Sequence, residues 1–133
     1  MVDSTDATGR EYARSGSAYE ERYGFSRGVR HGNRVEIAGT APIPAEGETL
    51  GATAYDQMMR CGAIAIAALE ELGGSASDVI RTTTYIVDPA EADEIGRAHQ
   101  KLFGEAAPAS TMVVVAALLE PEWKVELEVA ARL

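Results

Sequence analysis

Apolar and polar positions alternate, bunch together and alternate again along the chain. The final stretch is the most informative. From Thr111 to Leu119 nearly every position is apolar, the pattern of a strand buried on both faces. After the turn residues Glu120-Pro121-Glu122, the run Lys124 to Arg132 alternates. Val125, Leu127 and Val129 point one way, and Lys124, Glu126 and Glu128 point the other. The two runs predict a closing hairpin in which two carboxylates share a face.

Earlier periods predict the other elements. Phe25 to Arg30 and Arg34 to Thr40 alternate around His31-Gly32-Asn33, a hairpin signal. Pro42 and Pro44 break regular structure up to Gly51. Thr53 to Leu72 carries Tyr55, Met58, Met59, Gly62, Ile66, Leu69 and Leu72 at helical spacing. Thr53 opens that helix as a cap, and Gly73-Gly74 stops it. Val79 to Val87 is rich in β-branched residues and predicts a strand. Asp88-Pro89-Ala90-Glu91 then starts a second helix, which buries Ala92, Ile95, Leu102 and Phe103 and ends at Gly104.

Residues 1–22 show no sustained period and predict a loosely held arm, with Tyr19 and Tyr23 placed to pin its end. Residues 23–133 form one domain in the order β-β-α-β-α-β-β. That order implies an α+β fold, a mixed sheet with both helices on one face. The other sheet face then has no cover, although Thr111 to Leu119 is apolar on both sides. Leaving such side chains wet forgoes ~1.5–3 kcal/mol each, so oligomerisation through that face is expected.

Composition narrows the function. The chain has 133 residues and a net charge of −9. That charge repels phosphate backbones, and the arginines of the first quarter are interrupted by acids, so nucleic-acid binding is not expected. No apolar run is long enough for a membrane span. The amino-terminal residues do not form a secretory signal, and the single cysteine, Cys61, precludes an intramolecular disulfide. A cytoplasmic location is expected. Two histidines and one cysteine without ligand spacing give no metal site, and no glycine-rich phosphate loop suggests a cofactor.

In sequence, Phe25 to the end resembles the RidA (YjgF) family. The matching pieces are Gly39 before Pro42, Leu69-Glu70-Glu71-Leu72-Gly73, Asp78-Val79 with Thr82 to Asp88, Pro108-Ala109 before a valine-rich strand, and Lys124-Val125-Glu126-Leu127-Glu128-Val129-Ala130. The resemblance implies a chorismate-mutase-like homotrimer with small-molecule clefts between subunits. It also implies hydrolysis of reactive enamines and imines to keto acids and ammonia. Family members hold the substrate carboxylate with an arginine directly after Pro-Ala; here that position is Ser110. The family's cleft tyrosine falls on Phe25, its cleft serine on Ala38, and its glutamate is kept as Glu126. The chain is therefore expected to belong to a branch without the arginine.

Glu126 is the candidate catalytic residue, a carboxylate able to position or deprotonate water; the competing role is a surface or interface charge. Ser110 and Thr111 are candidates to hydrogen-bond a neutral ligand, or are solvated hydroxyls at a strand start. Arg27 either supplies the missing cation from another strand or faces solvent. Gly39 and Thr40 either meet the ligand through backbone or mark a bulge. His99 either lines the cleft or packs on the helix flank. Cys61 is read as a small buried hydrophobe. Three functions follow: an imine or enamine hydrolase of altered range, a metabolite-binding trimer without turnover, and the endoribonuclease or translation-inhibitor role attached to the family's names. The charge disfavours the last.

Overall fold

A computed structural model of the protein describes residues 2, 3 and 5–133. In chain order the elements are β1 (Val2–Asp3), β2 (Arg10–Ala13), α1 (Ala18–Tyr23), β3 (Gly28–His31), β4 (Arg34–Thr40), α2 (Ala54–Glu71), β5 (Val79–Ile86), α3 (Ala92–Phe103), β6 (Ala109–Val114) and β7 (Val125–Arg132). The strands form one sheet in the order β1-β2-β3-β4-β7-β5-β6. The pair β5–β6 is parallel and the others are antiparallel. From β3 onward the order is the expected β-β-α-β-α-β-β.

The core lies between the sheet and the two long helices. Val125, Leu127, Val129 and Ala131 of β7 are buried. Val35 and Ile37 of β4 share their face, paired with Ala131 and Val129. Met58, Cys61, Ala65, Ala68 and Leu69 of α2 close over them, with Ile95, Ala98 and Phe103 from α3. Gly62 lets the helices meet: a Cβ there would collide with the Leu102 side chain. Thr53 caps α2 by accepting from the Asp56 N–H at 3.0 Å, and Asp88 accepts from Ala90 N–H at 2.9 Å in the turn before α3.

The predicted hairpin β3–β4 closes on a two-residue loop, because His31, read as part of the turn, ends the strand. His31 pairs with Arg34, and Gly32 takes φ 65°, which glycine alone adopts without steric cost. Phe25 lies outside the strand, because β3 begins only at Gly28.

Three expectations need correction. First, the stretch read as a loose arm contributes regular structure. β2 pairs with β3 over Arg10 to Ala13, and α1 is capped by Ser17, which accepts from the Tyr19 N–H. Asp6 organises the turn before β2, accepting from Thr8 and from Tyr12 OH. These hydrogen bonds hold the carboxyl well below its usual range. Second, β6 and β7 are not a hairpin. The connection through α3 brings β6 back parallel to β5, and β7 enters between β4 and β5. Third, the apolar run is strand only to Val114. It forms the sheet edge, and Val113, Val114 and Leu119 are 38%, 54% and 90% exposed in the single subunit.

Candidate functional site

Strand alternation places Glu126 on the sheet face away from the helices, because its neighbours Val125 and Leu127 enter the core. Tyr85 of β5 is its paired residue, and Tyr85 OH donates to Glu128 Oε1 at 2.6 Å. That bond raises the Tyr85 pKa above the ordinary phenol range. A register shift between Ile37 and Thr40 marks a bulge in β4. At this bulge Gly39 lies beneath the Glu126 carboxylate; a Cβ there would be 2.5 Å from Glu126 Oε2. With glycine here the carboxylate occupies the space that a side chain would take, and any larger residue would have to displace it.

Arg27 completes this group. Its Nη2 donates to Gly39 O at 2.6 Å, and it lies within electrostatic reach of Glu20 and Glu126. Glu20 is buried and accepts from Ser15 N and Oγ. Burial lowers the Arg27 pKa, and both carboxylates oppose that shift. Arg27 Nε is buried without a partner among the described residues. For Glu126, burial raises the pKa above the usual carboxylate range, Arg27 opposes this, and Glu128 adds to it. Glu126 is therefore a partly desolvated carboxylate beside one cation, and such a group is a better base than a solvated one.

A second polar group sits on the helix side of the sheet. Thr82 pairs with Ser110 on one strand and with buried Val129 on the other, so Thr82 and Ser110 share the core-facing side. Thr82 Oγ1 lies 2.7 Å from His99 Nε2 and is hydrogen-bonded to Ser110 Oγ at 2.8 Å. Ser110 Oγ and His99 Nε2 are 3.4 Å apart. The His99 ring packs against Phe103 with centroids 5.2 Å apart. Burial lowers its pKa and favours neutral imidazole.

The sequence candidates thus divide. Arg27, Gly39 and Glu126 come together. His99 and Ser110 come together elsewhere, joined by Thr82, which sequence reasoning missed because its role depends on strand pairing. Thr111 is exposed and pairs with Thr83, on the face opposite Ser110. Thr40 is turned inward, fully buried, and its hydroxyl donates to Ala38 O at 2.8 Å; its hydroxyl is used by the bulge. Phe25 is 40% exposed. Cys61 is buried against Val125 O, and burial pushes its thiol up to about 12, as an inert core residue requires.

The two polar groups cannot meet on one small molecule within a subunit. Glu126 is in register with Tyr85 and Ser110 with Thr82. Two strand spacings and a three-residue offset put their backbones roughly 14 Å apart, and the side chains leave opposite faces. A cavity of about 520 Å³ lies beside Lys101 to Ala106, and one of about 240 Å³ between Arg27 and α2; Glu126 lines neither. Among the described residues no cluster of His, Cys, Asp and Glu could hold a metal ion. No described helix is long and apolar enough to cross a membrane.

Fold and site together define a small α+β protein with helices on one sheet face and a desolvated carboxylate on the other. The model of the Endoribonuclease L-PSP family matches residues 16–133, and the chain belongs to that family, the RidA/YjgF group. An uncharacterised protein of Streptomyces coelicolor is 34% identical over 117 residues, 88% of this chain and 87% of the relative. A RutC family protein of Pyrococcus abyssi is 33% identical over 95 residues, 71% of this chain and 75% of the relative. Among solved structures, Rv2704 of Mycobacterium tuberculosis, a member of the YjgF/YER057c/UK114 family, superposes with a TM-score of 0.86 at 34% identity. The match covers 93% of this chain and 99% of that one. RidA from an Antarctic Psychrobacter shares the fold, with a TM-score of 0.77 at 24% identity over 92% and 94% of the two chains.

Proposed function

We propose that the protein is an imine or enamine hydrolase of altered substrate range, acting in clefts between the subunits of a homotrimer. The observation that carries this reading is the seating of Glu126: partly buried, raised in pKa, over the bare backbone of Gly39 and beside Arg27. Ionised Glu126 takes a proton from water as the oxygen attacks the C=N carbon. The proton passes to nitrogen to give the carbinolamine; Glu126 then takes the carbinolamine hydroxyl proton and hands it to the amino nitrogen as the C–N bond breaks, so ammonia leaves a carbonyl product. An enamine enters the same route after its carbon takes a proton to give the imine. The reaction consumes one water and needs no metal or redox partner.

One feature supports a shared cleft. The apolar edge strand β6, with Val113 and Val114 exposed, has an unpaired outer edge in one subunit, which proteins ordinarily cover.

Ser110 favours a second reading, a trimer that binds a metabolite without turnover. Its hydroxyl carries no charge and is already bonded to Thr82. Ammonia release from freshly generated imines, one with a carboxylate and one without, separates the two. Turnover above the buffer rate that is lost in Glu126→Gln supports the hydrolase. Decay of both imines at the buffer rate, together with ligand-dependent thermal stabilisation, supports the binding protein.

A further inference from the structure

Thr82 Oγ1 is fully buried and touches both His99 Nε2 and Ser110 Oγ. A hydroxyl carries one proton. Along its two short contacts Thr82 donates to one neighbour and accepts from the other, which gives two arrangements; the longer Ser110 Oγ–His99 Nε2 contact of 3.4 Å is used by neither. In one, His99 Nε2–H donates to Thr82, Thr82 donates to Ser110, and the Ser110 proton points outward. In the other, Ser110 donates to Thr82, Thr82 donates to the bare Nε2, and Ser110 offers lone pairs outward. No heavy atom moves between them. The change is a tautomer of neutral imidazole with two hydroxyl rotations. Ser110 is exposed, so it is the end that a ligand reaches.

From this geometry we infer that His99, Thr82 and Ser110 form a hydroxyl relay that selects an uncharged polar substrate group, such as a carboxamide, over a carboxylate. This rests on the proposed imine chemistry and names its substrate class. A carboxamide suits both arrangements: its carbonyl accepts from Ser110 in the first, and its N–H donates to Ser110 in the second. A carboxylate only accepts. It is served by one arrangement, finds no cation in the relay, and gives up its hydration for a single neutral hydrogen bond. Imidazole held neutral by burial keeps the relay uncharged.

The test has two arms. In the first, pyruvamide and pyruvate are titrated into the intact protein and the His99 ring nitrogens are followed by long-range proton–nitrogen NMR, with exposed His31 as the control. Pyruvamide is expected to move the His99 signals at about tenfold lower concentration than pyruvate. In Ser110→Ala the difference disappears. In the second arm, ammonia release from the two corresponding imines is compared in the parent and in Thr82→Val, which keeps shape and strand propensity. The amide preference in kcat/KM is expected to fall to near parity. The inference is overturned if pyruvate moves His99 as readily as pyruvamide, if neither probe moves it, or if Thr82→Val keeps the preference. If pyruvamide moves His99 while neither imine is hydrolysed, the relay stands and the hydrolase reading fails.

Discussion

Glu126 is placed where burial and charge act on it in opposite senses. Burial holds its proton more tightly in the folded protein than in the unfolded chain. Stability therefore falls as pH rises from the ordinary carboxylate range through the raised value, and the ionised form at neutral pH is a standing penalty. Glu126→Gln removes that penalty. The variant is expected to melt at a higher temperature than the parent at pH 7, while imine turnover falls by ~10²–10⁴; calorimetry and ammonia release read the two effects on one preparation. Arg27 opposes the shift at Glu126. In Arg27→Gln the carboxylate loses its cation and holds its proton to higher pH. The acid limb of the pH–rate profile should therefore move upward relative to the parent, and an unmoved limb would show that Arg27 does not act on Glu126. Glu126 was legible in the sequence because strict alternation from Val125 to Val129 fixes which side chains leave the core. The relay through Thr82 was not. Neither its tautomers nor its contacts have a sequence period, and it exists only because β5 and β6 pair in parallel register.

At the scale of elements, the helices follow their local signals closely. Thr53 caps α2 as its sequence position suggests, and the cap accepts one of the amide protons that an α-helix leaves unpaired at its start. Thr53→Ala is expected to lower stability by about 1 kcal/mol in chemical denaturation, with little change in the denaturant slope. The strands are less local. The run from Thr111 to Leu119 is continuously apolar, yet regular pairing ends at Val114. The segment beyond it carries the chain across the sheet end before Lys124 N–H donates to Gln57 Oε1 at 2.8 Å. The apolar run reaches nearly to Glu120 and so predicts a hairpin. With the strand ending at Val114, the gap to Val125 is far longer than the two to five residues of ordinary hairpin loops. The strand β2 lacks a sequence signal for a different reason. Arg10-Glu11-Tyr12-Ala13 has only one small residue facing the core, Ala13 at 1% exposure, so the alternation that marks a buried strand is missing.

For the whole molecule, the apolar β6 edge is the feature that a single subunit leaves unresolved. Val113 and Val114 are exposed on opposite faces of the last strand, with Leu119 exposed in the segment that follows. Fully burying each such side chain is worth ~1.5–3 kcal/mol, a large share of the 5–15 kcal/mol that typically separates folded from unfolded domains. On the proposed shared cleft, Ser110 of one subunit and Glu126 of another meet only when copies of the chain assemble, so assembly and turnover are expected to be lost together. Val114→Lys places a charge on the edge without touching Glu126, Arg27 or the Thr82 relay. The expected result is a smaller species by light scattering coupled to size exclusion, with imine turnover lost in proportion to the missing oligomer and the far-ultraviolet circular dichroism of the subunit retained. Raising the protein concentration should restore both together. Turnover that persists in a monomer would place the whole reacting site within one chain and would sink the shared-cleft reading, leaving Ser110 without a part in the chemistry of Glu126.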